Sequence, residues 1–338
     1  MSNTSTNTNL NVITESGRAG KGGSVWQRFK NFREANLVVI IIAISIIMTF
    51  ASPYFATWEN IRTILLSFST EGIVAIGMTV MLVVGGIDIS VGSVMCFAMV
   101  LTGALFLGGM NPWLASLLGI AASGLIGLII GLFVTKFGLN FFIMTMAVMG
   151  IMRGACLIVT KGTPLSLFAL PKSFKFIGQG AVLGVPFAII LFFIIVIIMD
   201  YLMRYSTLLR KVFYTGSNEK AAIFSGINVN AVKIWVSILC SGLTGVAGII
   251  FMARFGAATP VFGSGLELTA ISAAVIGGAS MTGGKGTVFG AVLGIALLSL
   301  VTSSLILLNV NTYWQDTIKG LILLFAITFD TVSQKSAK

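Results

Sequence analysis

The stretch VVGGIDISVGSV, residues 83–94, sets two glycines, an aspartate and two serines between long apolar runs. A carboxylate at the centre of a membrane helix costs about 2.5–3.5 kcal/mol on insertion scales, so Asp88 argues against one continuous helix through this point. Gly85 and Gly86 permit a sharp change of chain direction. The Asp88 and Ser90 side chains can then cap the free N–H groups of a following helix or bond other exposed backbone. The stretch therefore reads as the end of one apolar helix and the start of the next, with Asp88 a structural group and not a metal or proton site.

Outward from this break, apolar runs of membrane-spanning length recur. Candidate spans are 37–52, 63–84, 92–108, 112–134, 140–159, 181–201, 232–253, 268–282, 287–308 and 313–330, each near the roughly 20 residues that cross a bilayer as a helix. The eighth is short, and a re-entrant segment is the competing reading there. The composition agrees: 57% of the 338 residues are hydrophobic and 9% are charged, against about a quarter charged in soluble domains. The expected fold is an all-α polytopic membrane protein of about ten transmembrane helices, because backbone polar groups in lipid must be satisfied within the segment.

Net charge is +11, but the basic residues are dispersed over separate loops, which speaks against nucleic acid. With both termini inside, the inner segments hold fourteen of the 21 basic residues and the outer loops five, as the positive-inside rule requires. Residues 1–25, rich in Ser, Thr, Asn and Gly, read as a disordered cytoplasmic tail. VWQRFKNFR (25–33) spaces Trp26, Phe29 and Phe32 helically beside Arg28, Lys30 and Arg33, which fits an interfacial helix or a solvated basic flank. The expected organisation is a tail over 1–35, a permease domain over 36–332 and a short tail over 333–338. No small-residue cleavage site follows the first apolar run, which reads as an anchor.

Several chemistries find no support. The chain has no histidine, which removes the commonest general base and imidazole metal sites. Cys96, Cys156 and Cys240 lie in apolar segments and read as buried hydrophobes. ASMTGGKGT (279–287) superficially suggests a phosphate-binding loop, but Ala279 stands where the first glycine belongs and Gly286 where the Mg²⁺-binding hydroxyl belongs.

Glycine patterning suggests close helix packing. Gly119, Ser123, Gly127 and Gly131 recur every four residues, as do Gly286, Gly290 and Gly294. Small residues at that interval let backbones approach in lipid, either within one chain or at a subunit seam. GGASMTGGKGTV (277–288) echoes the opening stretch: paired glycines, a polar stretch, then a helix start.

The longest inner segment, 202–231, is too short for a domain and too polar for a span. Asn218 suits the N-cap of a short helix from Glu219, with Ala221 and Ala222 upon it and Gly226 ending it. Small alanines would give a smooth face for another protein's groove; a plain basic loop is the alternative. Within the spans, Glu71, Asn140, Thr145 and Arg153 stand among apolar neighbours and are candidates for a substrate pathway. Packing or ion pairing competes for each, with Asp316 and Lys319 as further charges.

Four blocks resemble the membrane-spanning permease subunits of bacterial ATP-driven sugar importers, the ribose-type branch that includes autoinducer-2 permeases. They are GGIDISVGS (85–93), GSNEKAAIFSGI (216–227), SGLTGVAGI (241–249), and GSGLELTAISAAVIGGASMTGGKGTVFG (263–290) with YWQDTIKG (313–320). The resemblance runs from about residue 35 to 332. It implies a signature at Gly85, Gly86, Asp88, Ser90 and Gly92, with Gly277, Gly278, Gly283, Gly284 and Gly286 in the C-terminal block. It implies a helix coupling to the ATPase, carried by Gly216, Asn218, Glu219, Ala221, Ala222, Ser225 and Gly226. It further implies a dimeric permease in the bacterial inner membrane, a cytoplasmic ATP-binding subunit that holds ATP and Mg, and an extracytoplasmic solute-binding protein. No cofactor is expected in this chain. Ribose-like pentoses, hexoses and polyols are the implied cargo, with autoinducer-2, nucleosides and branched-chain amino acids as alternatives. An ion-coupled carrier would need its own mid-membrane ion site, for which few acidic groups are present. Phe141, in LNFFIMT (139–145), departs from the family's usual proline and leaves a helix break there open.

Overall fold

A computed structural model describes residues 33–336. The expected tail over 1–25 and the basic amphipathic stretch before Arg33 lie outside the described residues. The described chain is helical. In order come α1 (Arg33–Ala51), α2 (Trp58–Val83), α3 (Val91–Leu107), α4 (Pro112–Lys136), α5 (Phe141–Thr160), α6 (Lys172–Gln179) and α7 (Phe187–Tyr205). There follow α8 (Thr207–Ser217), α9 (Glu219–Phe224), α10 (Val229–Phe255), α11 (Leu266–Ile276), α12 (Val288–Leu307) and α13 (Thr312–Ser336). Four two-residue strands complete it: β1 (Leu165–Ser166) pairs antiparallel with β4 (Ala257–Ala258), and β2 (Ala181–Val182) with β3 (Val185–Pro186).

Among the described residues, seven helices are long and apolar enough to cross a membrane, namely α2, α4, α5, α7, α10, α12 and the part of α1 from Glu34. The helices α3 and α11 are apolar but shorter, at 17 and 11 residues. Each apolar run read from the sequence contains a helix, but the eighth does not extend over 268–282. At 1.5 Å per residue α11 covers about 16 Å, roughly half of a bilayer's hydrocarbon core. It stops because Gly277 closes directly on the Gly290 carbonyl of α12, leaving no space for a side chain, and Gly278 then turns at φ +100°.

A non-helical segment, the short strand β4 followed by turns over 260–265, precedes α11. From β4, the chain runs beside α3: Ala258 lies against Gly103, the carbonyls of Thr259 and Pro260 face the Cys96 thiol, and Gly263 abuts Gly92. The 85–90 break is likewise no solvated loop. Gly85 is exposed, but Gly86 and Asp88 to Ser90 are buried.

α2 and α10 form the centre of the bundle, packing against α3, α4, α7, α11 and α12. The small-residue stripes are used within the chain. Gly119 meets Thr102 of α3, Gly127 and Gly131 meet Ser237 and Ile234 of α10, and Gly294 meets Ala273 of α11. These close backbone approaches agree with packing within one chain, the first of the two readings of both stripes.

Candidate transport and coupling sites

Two helix N-termini, those of α3 and α11, meet inside the bundle where Gly92 touches Gly263 and the Glu267 side chain. Asp88 is fully buried two residues before the α3 cap. Its Oδ1 accepts from the Ser90 backbone N–H at 2.8 Å and from the Ser90 hydroxyl, while Oδ2 has no partner. It therefore bonds the break's own backbone and does not cap the first turn of α3, whose cap residue is Ser90. Thr145, fully buried one turn into α5, donates to the Phe141 carbonyl at 2.9 Å and accepts from the Ile89 N–H at 3.2 Å, stitching α5 to the break. Arg153 donates from one guanidinium nitrogen to the Pro260 and Phe262 carbonyls, at 2.9 and 2.7 Å. The guanidinium thus bonds carbonyls of the turn segment before α11, and it is held by carbonyls instead of the carboxylates considered from sequence. Asn140 is not inside the bundle. It is the exposed N-cap of α5, accepting from Phe142 N–H at 2.8 Å, which is how that helix starts without a proline. It borders a cavity of about 580 Å³ shared with Gly85, Glu219 and Lys233.

Glu71 occupies a different environment. It lines a polar cavity of about 160 Å³ between α2, α12 and α13, together with Ser67, Ser299, Thr302 and Lys319. Thus the four pathway candidates are not brought together: Thr145 and Arg153 serve the broken crossing, Asn140 caps a helix end, and Glu71 faces this cavity.

The segment 216–227 folds as its caps dictate. Asn218 accepts from Ala221 N–H at 3.0 Å to begin α9. The Gly226 N–H bonds the Ile223 carbonyl and the Ile227 N–H the Ala222 carbonyl, with Gly226 at φ +78°, so the helix closes on a left-handed glycine. Glu219 pairs with Lys233 at 2.8 Å, and the Ser225 hydroxyl donates back to the Ala221 carbonyl. The expected alanine face is corrected: Ala222 is 3% exposed and turned inward, while Ala221, Ile223 and Phe224 are exposed, Phe224 to 91%. A six-residue helix makes under two turns, so its outward face was not readable from spacing alone.

Behind α9 lies a backbone junction. Gly284 N–H donates to the Val83 carbonyl at the end of α2 at 2.8 Å. Gly216 packs onto that same carbonyl and onto Gly284, Gly283 packs onto the Gly216 carbonyl, Gly284 onto Ser217, and Gly286 onto Val83. Side chains would force these strands of backbone apart, and Gly283 and Gly284 also hold positive φ (+88° and +75°). The glycines of the C-terminal block thereby tie the segment 216–227 to the ends of α2 and α12. Sequence reasoning missed Val83, Ser217 and Phe224 as parts of this arrangement, and it missed the cavity around Glu71. The signal for the cavity was present: Asn60, Thr63, Ser67 and Glu71 recur on one helical face.

The family model described as "Branched-chain amino acid transport system / permease component" matches residues 60–327. Among curated proteins, the ribose import permease protein RbsC of Escherichia coli K12 is 35% identical over 303 residues, 89% of this chain and 94% of that protein. RbsC of Bacillus subtilis 168 is 34% identical over 294 residues, covering 87% and 90%. The D-allose transport system permease protein AlsC of Escherichia coli K12 is 32% identical over 313 residues, covering 92% and 93%. No solved structure matches with significance.

Proposed function

This chain belongs to the branched-chain amino acid transport system / permease component family, and we propose that it is the inner-membrane permease subunit of an ATP-driven importer of a small sugar. The observation that carries this reading is the similarity, across about nine-tenths of the chain, to permeases named for ribose and allose. An L-arabinose permease of Azospirillum brasilense, 32% identical over 91% of this chain, widens the cargo to pentoses and hexoses in general. In this reading ATP and Mg are held by a separate cytoplasmic subunit, a solute-binding protein delivers sugar from outside, and a second permease copy completes the membrane unit.

The coupling role falls to α9. Its exposed Ile223 and Phe224 present apolar surface, suited to a groove of the ATPase. The glycine junction behind it passes any displacement to α2 and α12. Of the four pathway candidates, Glu71 is the one we place on the sugar's route, since Thr145, Arg153 and Asn140 are already engaged by backbone groups.

Reconstitution tests the reading. Permease, ATPase and binding protein in proteoliposomes should accumulate ribose, arabinose or allose only when ATP is supplied on the ATPase side. Phe224→Asp, and Gly226→Val by blocking the left-handed stop, should leave the permease inserted but abolish ATPase copurification and uptake. ATP-independent accumulation driven by an ion gradient would contradict the proposal.

A further inference from the structure

We propose that the polar cavity between α2, α12 and α13 is a binding site for a free, polyhydroxylated solute of about pentose size during transit. This rests on the reading of the chain as a sugar permease and adds the place where the sugar is held. The walls are built for hydroxyl groups. Ser67 and Glu71 lie one turn apart on α2, Ser299 and Thr302 face them from α12, and Lys319 closes the site from α13. A carboxylate accepts from a sugar diol, an ammonium donates to it, and serine and threonine do either. An apolar solute would leave these groups unsatisfied.

Size agrees. The cavity of about 160 Å³ has room for about five waters at roughly 30 Å³ each, a space on the scale of one pentose. One group is conspicuously unused. Ser299 is 6% exposed and its hydroxyl has no hydrogen-bond partner, although buried polar atoms are nearly always bonded in folded proteins. A hydroxylated ligand in the cavity supplies the missing partner. By contrast, Ser303 donates to the Asn60 side chain at 2.9 Å, closing one edge of the cavity.

Position agrees as well. The cavity's walls α2 and α12 are the two helices joined to the coupling segment at the other end, through Val83, Gly216 and Gly284. A displacement of α9 therefore reaches both walls through rigid helices. A cavity that served only to anchor α13 by the charges of Glu71 and Lys319 would need none of the hydroxyls.

Ser67→Leu fills the cavity without touching either charge. In the reconstituted importer, sugar uptake should fall by about tenfold or more, since a site built for hydroxyls loses its partners and its space. Copurification with the ATPase reports separately whether the variant assembles. Unchanged uptake overturns the inference while leaving the permease reading intact. If Ser67→Leu does not assemble, Thr302→Cys carries the test, because Cys96, Cys156 and Cys240 are each fully buried. A water-soluble thiol reagent should label it, and saturating ribose should slow labelling; no labelling, or labelling that ribose does not slow, overturns the inference. A wild-type transporter that imports none of ribose, arabinose and allose overturns the permease reading and this inference together.

Discussion

Two polar regions lie within this apolar bundle, and they differ in what their groups surround: packed backbone in the first, a cavity in the second. At the meeting of α3 and α11, Arg153 bonds two carbonyls, Thr145 bonds the Ile89 N–H and the Phe141 carbonyl, and Asp88 bonds Ser90 through one oxygen. Between α2, α12 and α13, a carboxylate, a lysine and several hydroxyls surround empty space, and the buried Ser299 hydroxyl is unpartnered. Broken helices expose backbone, and in a membrane that backbone must be satisfied by neighbouring protein groups. We therefore assign the first region to scaffold and propose the second, which keeps space beside its polar groups, as the ligand site. Location inside the membrane does not separate the two roles; what the polar groups surround does.

Changes at the two regions should accordingly fail in different ways. The largest loss is expected from Gly92→Val. A side chain there meets the Gly263 carbonyl and must push the turn segment away from α3, so little correctly assembled permease should survive detergent extraction and size-exclusion chromatography. Arg153→Met should come next: it strands the Phe262 carbonyl, at about 1–3 kcal/mol, leaves the Pro260 carbonyl only the weaker Cys96 thiol donor, and should lower the melting temperature of purified permease by several degrees. Glu71→Gln keeps the size of the side chain and removes its charge. It should leave melting nearly unchanged while uptake falls by about tenfold, a transition-state loss near 1.4 kcal/mol. Asp88→Asn should have the smallest effect, under about 1 kcal/mol in thermal unfolding, because the amide oxygen still accepts from Ser90. Loss of all transport by Asp88→Asn with normal assembly would move Asp88 from the first region to the second and break the comparison.

The parts of this arrangement set by local chemistry were legible in the sequence. Asn218 as a cap, Gly226 as a stop and the reversal at Gly85 each depend on a residue and its immediate neighbours, and each is found. The paired glycines after Ile276 announced a break, but not that α11 would be half a crossing. Before it runs the non-helical segment 257–265, whose carbonyls are bonded in part by Arg153, more than a hundred residues away, and by the Cys96 thiol. Ala222 was read as outward because a helix of six residues has no second repeat to fix its face. The cavity escaped notice because one wall, α2, lies over two hundred residues from the other two, α12 and α13. Only packing brings those short polar stripes together.

The most direct test sets one residue from each region side by side: sugar uptake per assembled transporter for Arg153→Met and Glu71→Gln, normalised to permease that copurifies with its ATPase. The predicted result is that Arg153→Met yields less assembled protein but near-normal uptake per copy, whereas Glu71→Gln assembles normally and transports about tenfold less per copy. The opposite pattern, with transport per copy lost at Arg153 and preserved at Glu71, would contradict the division between scaffold and sugar site.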